Sequence, residues 1–280
     1  MIDMLSSIPS PTGGEEVMIK FLKKLIDAET YEDSIGNLIV HIKGEGKKVM
    51  LICGIDEDCV IALNQDCRKV NFNHIGNKKL FPGTLVNLGG NEGYVCSDNM
   101  ENPTKDQYIK LINDAEIQIS TSGIIVSDYF EDEFYIKGSR IGRVCVLNEM
   151  INLANNYSGD LDLYIVFEVQ SLFGHKGAIV ASNNIEPDYI IAFEEIESDA
   201  KKILNIKAAR AFVSSEVPEE FIPDTISESY VNTELDTTAT YIKNSVTVLF
   251  GVPVDFYHFS SSRVLTDVKN EIKHLFETIF

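Results

Sequence analysis

Apolar residues recur along this chain with two different periods. From Glu15 to Asp27 they fall at helical spacing (Val17, Ile19, Phe21, Leu22, Leu25, Ile26), just after a turn punctuated by Pro9, Pro11, Gly13 and Gly14, which predicts an amphipathic helix. Asn37 to Ile42 and Lys48 to Cys53 are instead β-prone runs separated by Gly44-Glu45-Gly46, which predicts a hairpin or neighbouring strands. The second run is apolar throughout and reads as a central, buried strand. Helical period returns between Ser139 and Asn156 (Ile141, Val144, Leu147, Met150, Ile151, Ala154), followed by a strand over Leu161 to Val169. Gly177 to Asn184 reads as helix, Tyr189 to Phe193 and Val246 to Phe250 as strands, and Val268, Ile272, Leu275, Phe276 and Ile279 as the stripe of a closing helix that starts at Thr266-Asp267.

Strands alternating with helices predict an α/β fold: a mixed, mostly parallel sheet with helices on both faces. The stretch from about residue 60 to 132 has another texture, with short β-prone pieces (Lys69–Phe72, Thr84–Leu88, Gly93–Cys96, Gly123–Val126) broken by Gly, Asn and Pro. The expected organisation is a discontinuous α/β domain of residues 1–59 plus 133–280 that carries a small β-rich insert over 60–132.

Composition narrows the partners. The 280 residues are 44% apolar, enough for an ordinary core, and a formal charge of −19 repels phosphate backbones, so nucleic acid is not expected. No apolar run is long enough to cross a membrane as a helix, and Met1-Ile2-Asp3-Met4 lacks the basic flank and apolar stretch of a secretion signal, which makes the cytoplasm the expected location. Cys53, Cys59, Cys67, Cys96 and Cys145 form no CxxC pair, so they read as reduced thiols rather than a disulfide framework or a thiolate zinc site.

The words Asp33-Ser-Ile-Gly-Asn-Leu-Ile-Val40, Val49-Met-Leu-Ile-Cys-Gly-Ile-Asp56, Val166-Phe-Glu-Val-Gln170 and Gly174-His-Lys-Gly-Ala178, in this order, resemble the glutamyl and deblocking (tetrahedral) aminopeptidases, metallopeptidase family forty-two. The resemblance implies a sheet that carries a dinuclear zinc or cobalt centre and a β insert that contributes to assembly. It also implies a ligand set, which this chain largely lacks. Gly54 stands where the resemblance has a metal-binding histidine, and only the supporting aspartate follows, as Asp56. Gly138-Ser139-Arg140-Ile141-Gly142 occupies the word that supplies the bridging aspartate, yet neither Gly138 nor Ser139 is a carboxylate. After Gln170, Ser171 takes the general-base position and Leu172 the next ligand position; a leucine has no lone pair and a serine hydroxyl is too weak a base near neutral pH. Glu194 stands at an aspartate-ligand position and His258, in Pro253-Val-Asp-Phe-Tyr-His258, at the last histidine, so Glu194 and His258 are the two retained metal positions.

Catalytic zinc normally takes three protein ligands, so neither metal site is complete. The expectation is an aminopeptidase-like protein without peptidase activity and without a cofactor: a homo-oligomer with a binding, regulatory or structural role, taking a peptide or small-molecule ligand or pairing with an active relative. The alternative is an active aminopeptidase that uses zinc, cobalt or manganese in a rebuilt centre involving Asp56, Glu194 and His258. Other polar groups carry plainer readings. Asp56-Glu57-Asp58 reads as a solvated acidic loop and His175 as solvent-facing beside a helix start, while Glu194-Glu195 with Glu197 and Asp199 reads as an acidic loop leaving a strand, with recruitment of a metal in a new arrangement as the alternative. Without companions, His258 reads as a hydrogen-bonded structural histidine. Cys53 together with Asp56 and His258 raises a cysteine-nucleophile arrangement, against which stands the simpler reading of Cys53 as a small buried residue at a strand end.

Overall fold

The structure, a computed structural model, describes residues 1–76, 79–198, 200–206, 227–229, 245–255 and 261–280. Its centre is an eight-stranded mixed sheet in the order β1-β2-β12-β3-β13-β16-β14-β15. The strands are β1 (Thr30–Glu32), β2 (Leu38–Ile42), β3 (Lys48–Gly54), β12 (Asp162–Glu168), β13 (Tyr189–Glu197), β14 (Leu204–Ile206), β15 (Ser227–Ser229) and β16 (Val246–Val254). The four middle strands, β12, β3, β13 and β16, run parallel, whereas β2 joins β12 and β14 joins β16 antiparallel.

The two runs that flank Gly44-Glu45-Gly46 are thus not neighbours in the sheet. β12 lies between β2 and β3 and pairs with both. A short loop predicts a hairpin only when no other strand competes for the edge, and β12, with its apolar run Leu163–Phe167, takes the slot.

Period-two alternation sends the two faces of each strand into different cores. Val49, Leu51 and Cys53 of β3, with Ile191 and Phe193 of β13, pack on the side of α1 (Ile2–Ser7), α2 (Glu16–Leu25), α3 (Ile141–Asn156) and α5 (Thr266–Ile279). Met50, Ile52, Ile190 and Ala192 face α4 (Lys176–Ile185) on the other side. Phe193 stacks between Phe250 and Phe276 at centroid distances of 5.3 and 5.4 Å, contacts worth about 0.5–1.5 kcal/mol each beyond their burial. Among the described residues, no helix is long and apolar enough to cross a membrane.

Residues 59–125 form a closed antiparallel barrel, in the order β4 (Cys59–Asp66), β5 (Lys69–Ile75), β8 (Gln107–Leu111), β7 (Asn91–Ser97), β6 (Leu85–Leu88), β9 (Ser122–Ile125) and back to β4. Its own core includes Val60, Ala62, Val70, Val86, Leu88, Val95, Ile109 and Ile125. A small sheet of β10 (Phe130–Glu131), β11 (Tyr135–Gly138) and β17 (Ser262–Leu265) then delivers the chain into α3 and α5.

Candidate functional site

In a parallel sheet the carboxyl ends of adjacent strands gather whatever residues follow them, which is where open α/β sheets place their sites. Asp56 follows β3, Ser171 opens a single 3-10 turn (Ser171–Phe173) just after β12, and Glu194 lies in β13 one residue beyond the β3–β13 register pair Phe193–Cys53. The turn after β12 needs unusual backbone: Gln170 and His175 have positive φ, and Gly174 between them supplies a third left-handed residue. Asn37, just before β2, fastens this segment, accepting from Val169 N–H and donating to Gly177 O. Glu15, at the start of α2, accepts from the Gln170 and Gly13 N–H groups, and burial pushes its carboxyl above the ordinary range.

The middle of the cluster is filled by a residue with no counterpart among the sequence candidates. Arg143, in the first turn of α3, extends its side chain under the strand ends and is only 3% exposed. Its Nε and Nη2 both donate to Glu194 Oε1, at 3.0 and 2.5 Å, and its Nη1 donates to Ser171 Oγ at 2.9 Å and to Asp56 O at 3.2 Å. Nη1 also lies 3.6 Å from Asp56 Oδ1. Burial opposes the charge on Arg143, but Glu194, Asp56 and Glu195 outweigh it and hold the guanidinium protonated more firmly than an ordinary arginine. Asp56 is saturated as well: Oδ1 accepts from Ser171 Oγ, and Oδ2 accepts from Thr12 Oγ1 at 2.9 Å and Leu172 N–H at 3.0 Å.

Neighbouring acids are bound into the same frame. Glu57 accepts from Ser10 N–H and Ser139 Oγ and pairs with Arg140 Nη1 at 3.1 Å, while Arg140 Nη2 donates to the carbonyls of Leu5 and Ile8. Glu195 accepts from the Gly142 N–H at the start of α3 at 2.6 Å, satisfying a helix N-terminal donor with a carboxylate. Asp56-Glu57 is therefore not a solvated loop: Asp56 and Glu57 are buried, because each has an arginine and backbone donors to receive it. Likewise Glu194, Glu195 and Glu197 belong to β13 rather than to a loop after it; Asp199 lies outside the described residues.

His175 is also buried rather than solvent-facing. Its Nδ1 lies 3.2 Å from Glu168 Oε1, and its Nε2 lies 3.7 Å from Glu194 Oε2. Burial by itself would lower the imidazole pKa, yet the charge and hydrogen bond of Glu168, with the charge of Glu194, outweigh it and raise the ring above its ordinary value. A histidine raised on folding stabilises fully below its unfolded pKa of about 6.5, and that contribution is lost as pH rises through the higher folded value. The urea midpoint is therefore expected to fall as pH is raised from about 6.5, and the fall should shrink in His175→Gln. A variant whose midpoint tracks the wild type across that window would show that His175 is not the group responsible.

The sequence candidates fare unevenly. Asp56, Ser171 and Glu194 come together, with Gly54 beside them: a Cβ at Gly54 would overlap Ser171 Oγ and come within 2.7 Å of Ser171 Cβ and 3.2 Å of Arg143 Nη1. Leu172 contributes only its backbone N–H, to Asp56. Ser139 is turned to Glu57, and a Cβ at Gly138 would collide with Ser6. His258 lies outside the described residues. Cys53 is buried, and burial pushes its thiol well above the thiolate range, so it is not poised as a nucleophile.

Among the described residues, the cluster as it stands does not fit a metal centre. Glu194 Oε1 is taken by the guanidinium, its Oε2 lies 3.7 Å from His175 Nε2, and both Asp56 oxygens accept protein donors. Among the described residues, no group of His, Cys, Asp and Glu side chains is arranged to hold an ion. Arg143 and Glu168 are the candidate-site residues that pattern reading missed, and His175 is the one it placed in solvent. The signal was there: Arg143 heads the stripe Leu147, Met150, Ala154, and Glu168 interrupts an apolar strand.

The molecule is an α/β protein with a buried charged cluster at the carboxyl ends of its central parallel strands. No family model matches the chain. In sequence it is 25% identical over 223 residues to a curated "Putative aminopeptidase" of Acetivibrio thermocellus, a match that covers 69% of this chain and 66% of that protein, just under two thirds of its length. In structure it is similar to the TET1 peptidase of Pyrococcus horikoshii, with TM-score 0.81, 18% identity, and coverage of 99% of this chain and 96% of that one. It is similar also to the aminopeptidase APDkam598 of the archaeon Desulfurococcus kamchatkensis, with TM-score 0.83, 17% identity, and coverage of 99% and 92%. The fold is that of the tetrahedral aminopeptidases.

Proposed function

We propose that this chain is a non-hydrolysing relative of the aminopeptidases, an oligomeric binding or scaffold protein that keeps the fold without its chemistry. One observation carries the reading. The only side chain at the general-base position, Ser171, is fully buried, its hydroxyl donating to Asp56 and accepting from Arg143. Metal-assisted peptide hydrolysis needs a group that takes a proton from water and a cation that polarises the carbonyl, and here the first is a committed hydroxyl and the place of the second is held by the guanidinium. The Pyrococcus horikoshii peptidase is described as assembling into a tetrahedron or a large octahedral shell, which supports an oligomer of this chain as well.

The test is a panel of aminoacyl chromogenic substrates incubated with protein purified without chelator, with zinc, cobalt or manganese added, alongside elemental analysis and light scattering. The expected result is no turnover above the protein-free control, no stoichiometric metal, and a mass above that of one chain. Turnover that requires metal and disappears in His258→Ala would overturn the reading in favour of a rebuilt centre.

A further inference from the structure

Arg143 occupies the point where the strand ends focus their acidic groups. Glu194 in β13 and Asp56 just after β3 converge on its guanidinium, the Asp56 carboxylate at 3.6 Å from Nη1, Ser171 fills the side facing β12, and the missing Cβ of Gly54 leaves the room that both Ser171 and the guanidinium use. A buried carboxylate pair needs a positive partner, whatever its chemical nature. A planar guanidinium can satisfy it from a backbone-anchored side chain, where an exchangeable ion would have to be bound from solution.

We propose that Arg143 is the permanent, tethered occupant of a cation site at the carboxyl ends of β3, β12 and β13, and that removing its side chain opens an anionic cavity that accepts a free guanidinium-type cation. The inference rests on the reading of this site as one that no metal fits. It differs from the reading of Arg143 as an ordinary buried ion pair, because an ordinary pair that loses one member leaves a defect, whereas a cation site that loses its occupant can be refilled.

The experiment is thermal unfolding of wild type, Arg143→Ala and a core variant of matched stability, Leu147→Ala, each with and without millimolar methylguanidinium, with tetramethylammonium at equal ionic strength as the control. Arg143→Ala should lower Tm by about 10 °C. Methylguanidinium should recover a large part of that loss in Arg143→Ala alone, saturating with concentration, while tetramethylammonium recovers none. Should Arg143→Ala fail to fold, the site is read from Arg143→Gln, Glu194→Gln and their double variant. Neutralising the cage together with its occupant should then cost much less than the sum of the single losses. Wild-type-like stability of Arg143→Ala, recovery of Leu147→Ala by the same additive, a rise in Arg143→Ala under neither salt, or additive losses in the double variant would each overturn the proposal. None of these readouts involves turnover. Failure here therefore leaves the non-hydrolytic reading standing, whereas metal-dependent hydrolysis by the wild type would overturn that reading and remove the premise of this one.

Discussion

Asp56→Ala is expected to lose about 3–5 kcal/mol of unfolding free energy, measured by urea titration with an unchanged slope. The carboxylate is fully buried, receives Ser171 Oγ, Thr12 Oγ1 and Leu172 N–H, and faces Arg143 Nη1 at 3.6 Å. Truncation strands all of those donors at once and removes one of the charges that makes a buried guanidinium tolerable. Asp56→Asn separates the two contributions. It keeps the shape and one acceptor oxygen, so whatever it still loses reports the charge facing Arg143 and the donor whose acceptor became an amide. A loss below about 1 kcal/mol for Asp56→Ala, the range of an exposed pair, would mean that solvent reaches the cluster.

Restoring the missing ligand should fail as well. Gly54→His puts back the residue that the aminopeptidase resemblance has at this position, and it is expected to yield unfolded or aggregated protein rather than a metal site. The first atom of any side chain there already overlaps Ser171 Oγ and presses on Arg143. Both neighbours are committed: Ser171 is clamped between Asp56 and Arg143, and Arg143 by Glu194. Gly54→Ala alone should cost about 1–3 kcal/mol, as overpacking of a filled core does. Combining it with Ser171→Gly, which removes the obstructing atoms, should recover part of the loss. Gly54→His protein that folds and retains one zinc per chain through gel filtration would show that the arginine yields its place to an ion.

Most of the scaffold was legible because it is written in period. The run Lys48–Cys53 has no polar residue after its first position, and it is the buried strand β3; the stripe Val268, Ile272, Leu275, Phe276 is the buried side of α5. The strand order was not legible, since β2 and β3 are separated by a strand more than a hundred residues away in sequence, and local pattern carries no such information. The lost ligands at Gly54 and Leu172 could be read by position, but what replaced them could not. Charged residues on a helix or after a strand are read by default as solvated, so Arg143, Glu57 and His175 were assigned to water or passed over. Each is buried only because another charged residue meets it: Glu194 for Arg143 and Arg140 for Glu57 from distant segments, and Glu168 for His175 from the end of the strand before it. Mutual burial of charges is a pair property, and a single chain read one residue at a time does not display it.

The barrel of residues 59–125 closes by pairing its first strand with its last, Cys59 opposite Ile124. The chain thus leaves the sheet after β3 and comes back beside its point of departure. Once the barrel has formed, the polymer that must loop from β3 to β12 is effectively shorter by the barrel's length, and the entropy of closing that loop falls only logarithmically with the segment removed. Lengthening the barrel's hairpins or trimming them should accordingly leave the pairing of β3 with β12 almost unaffected, whereas parting Cys59 from Ile124 would return the whole contour length to the search for the central sheet.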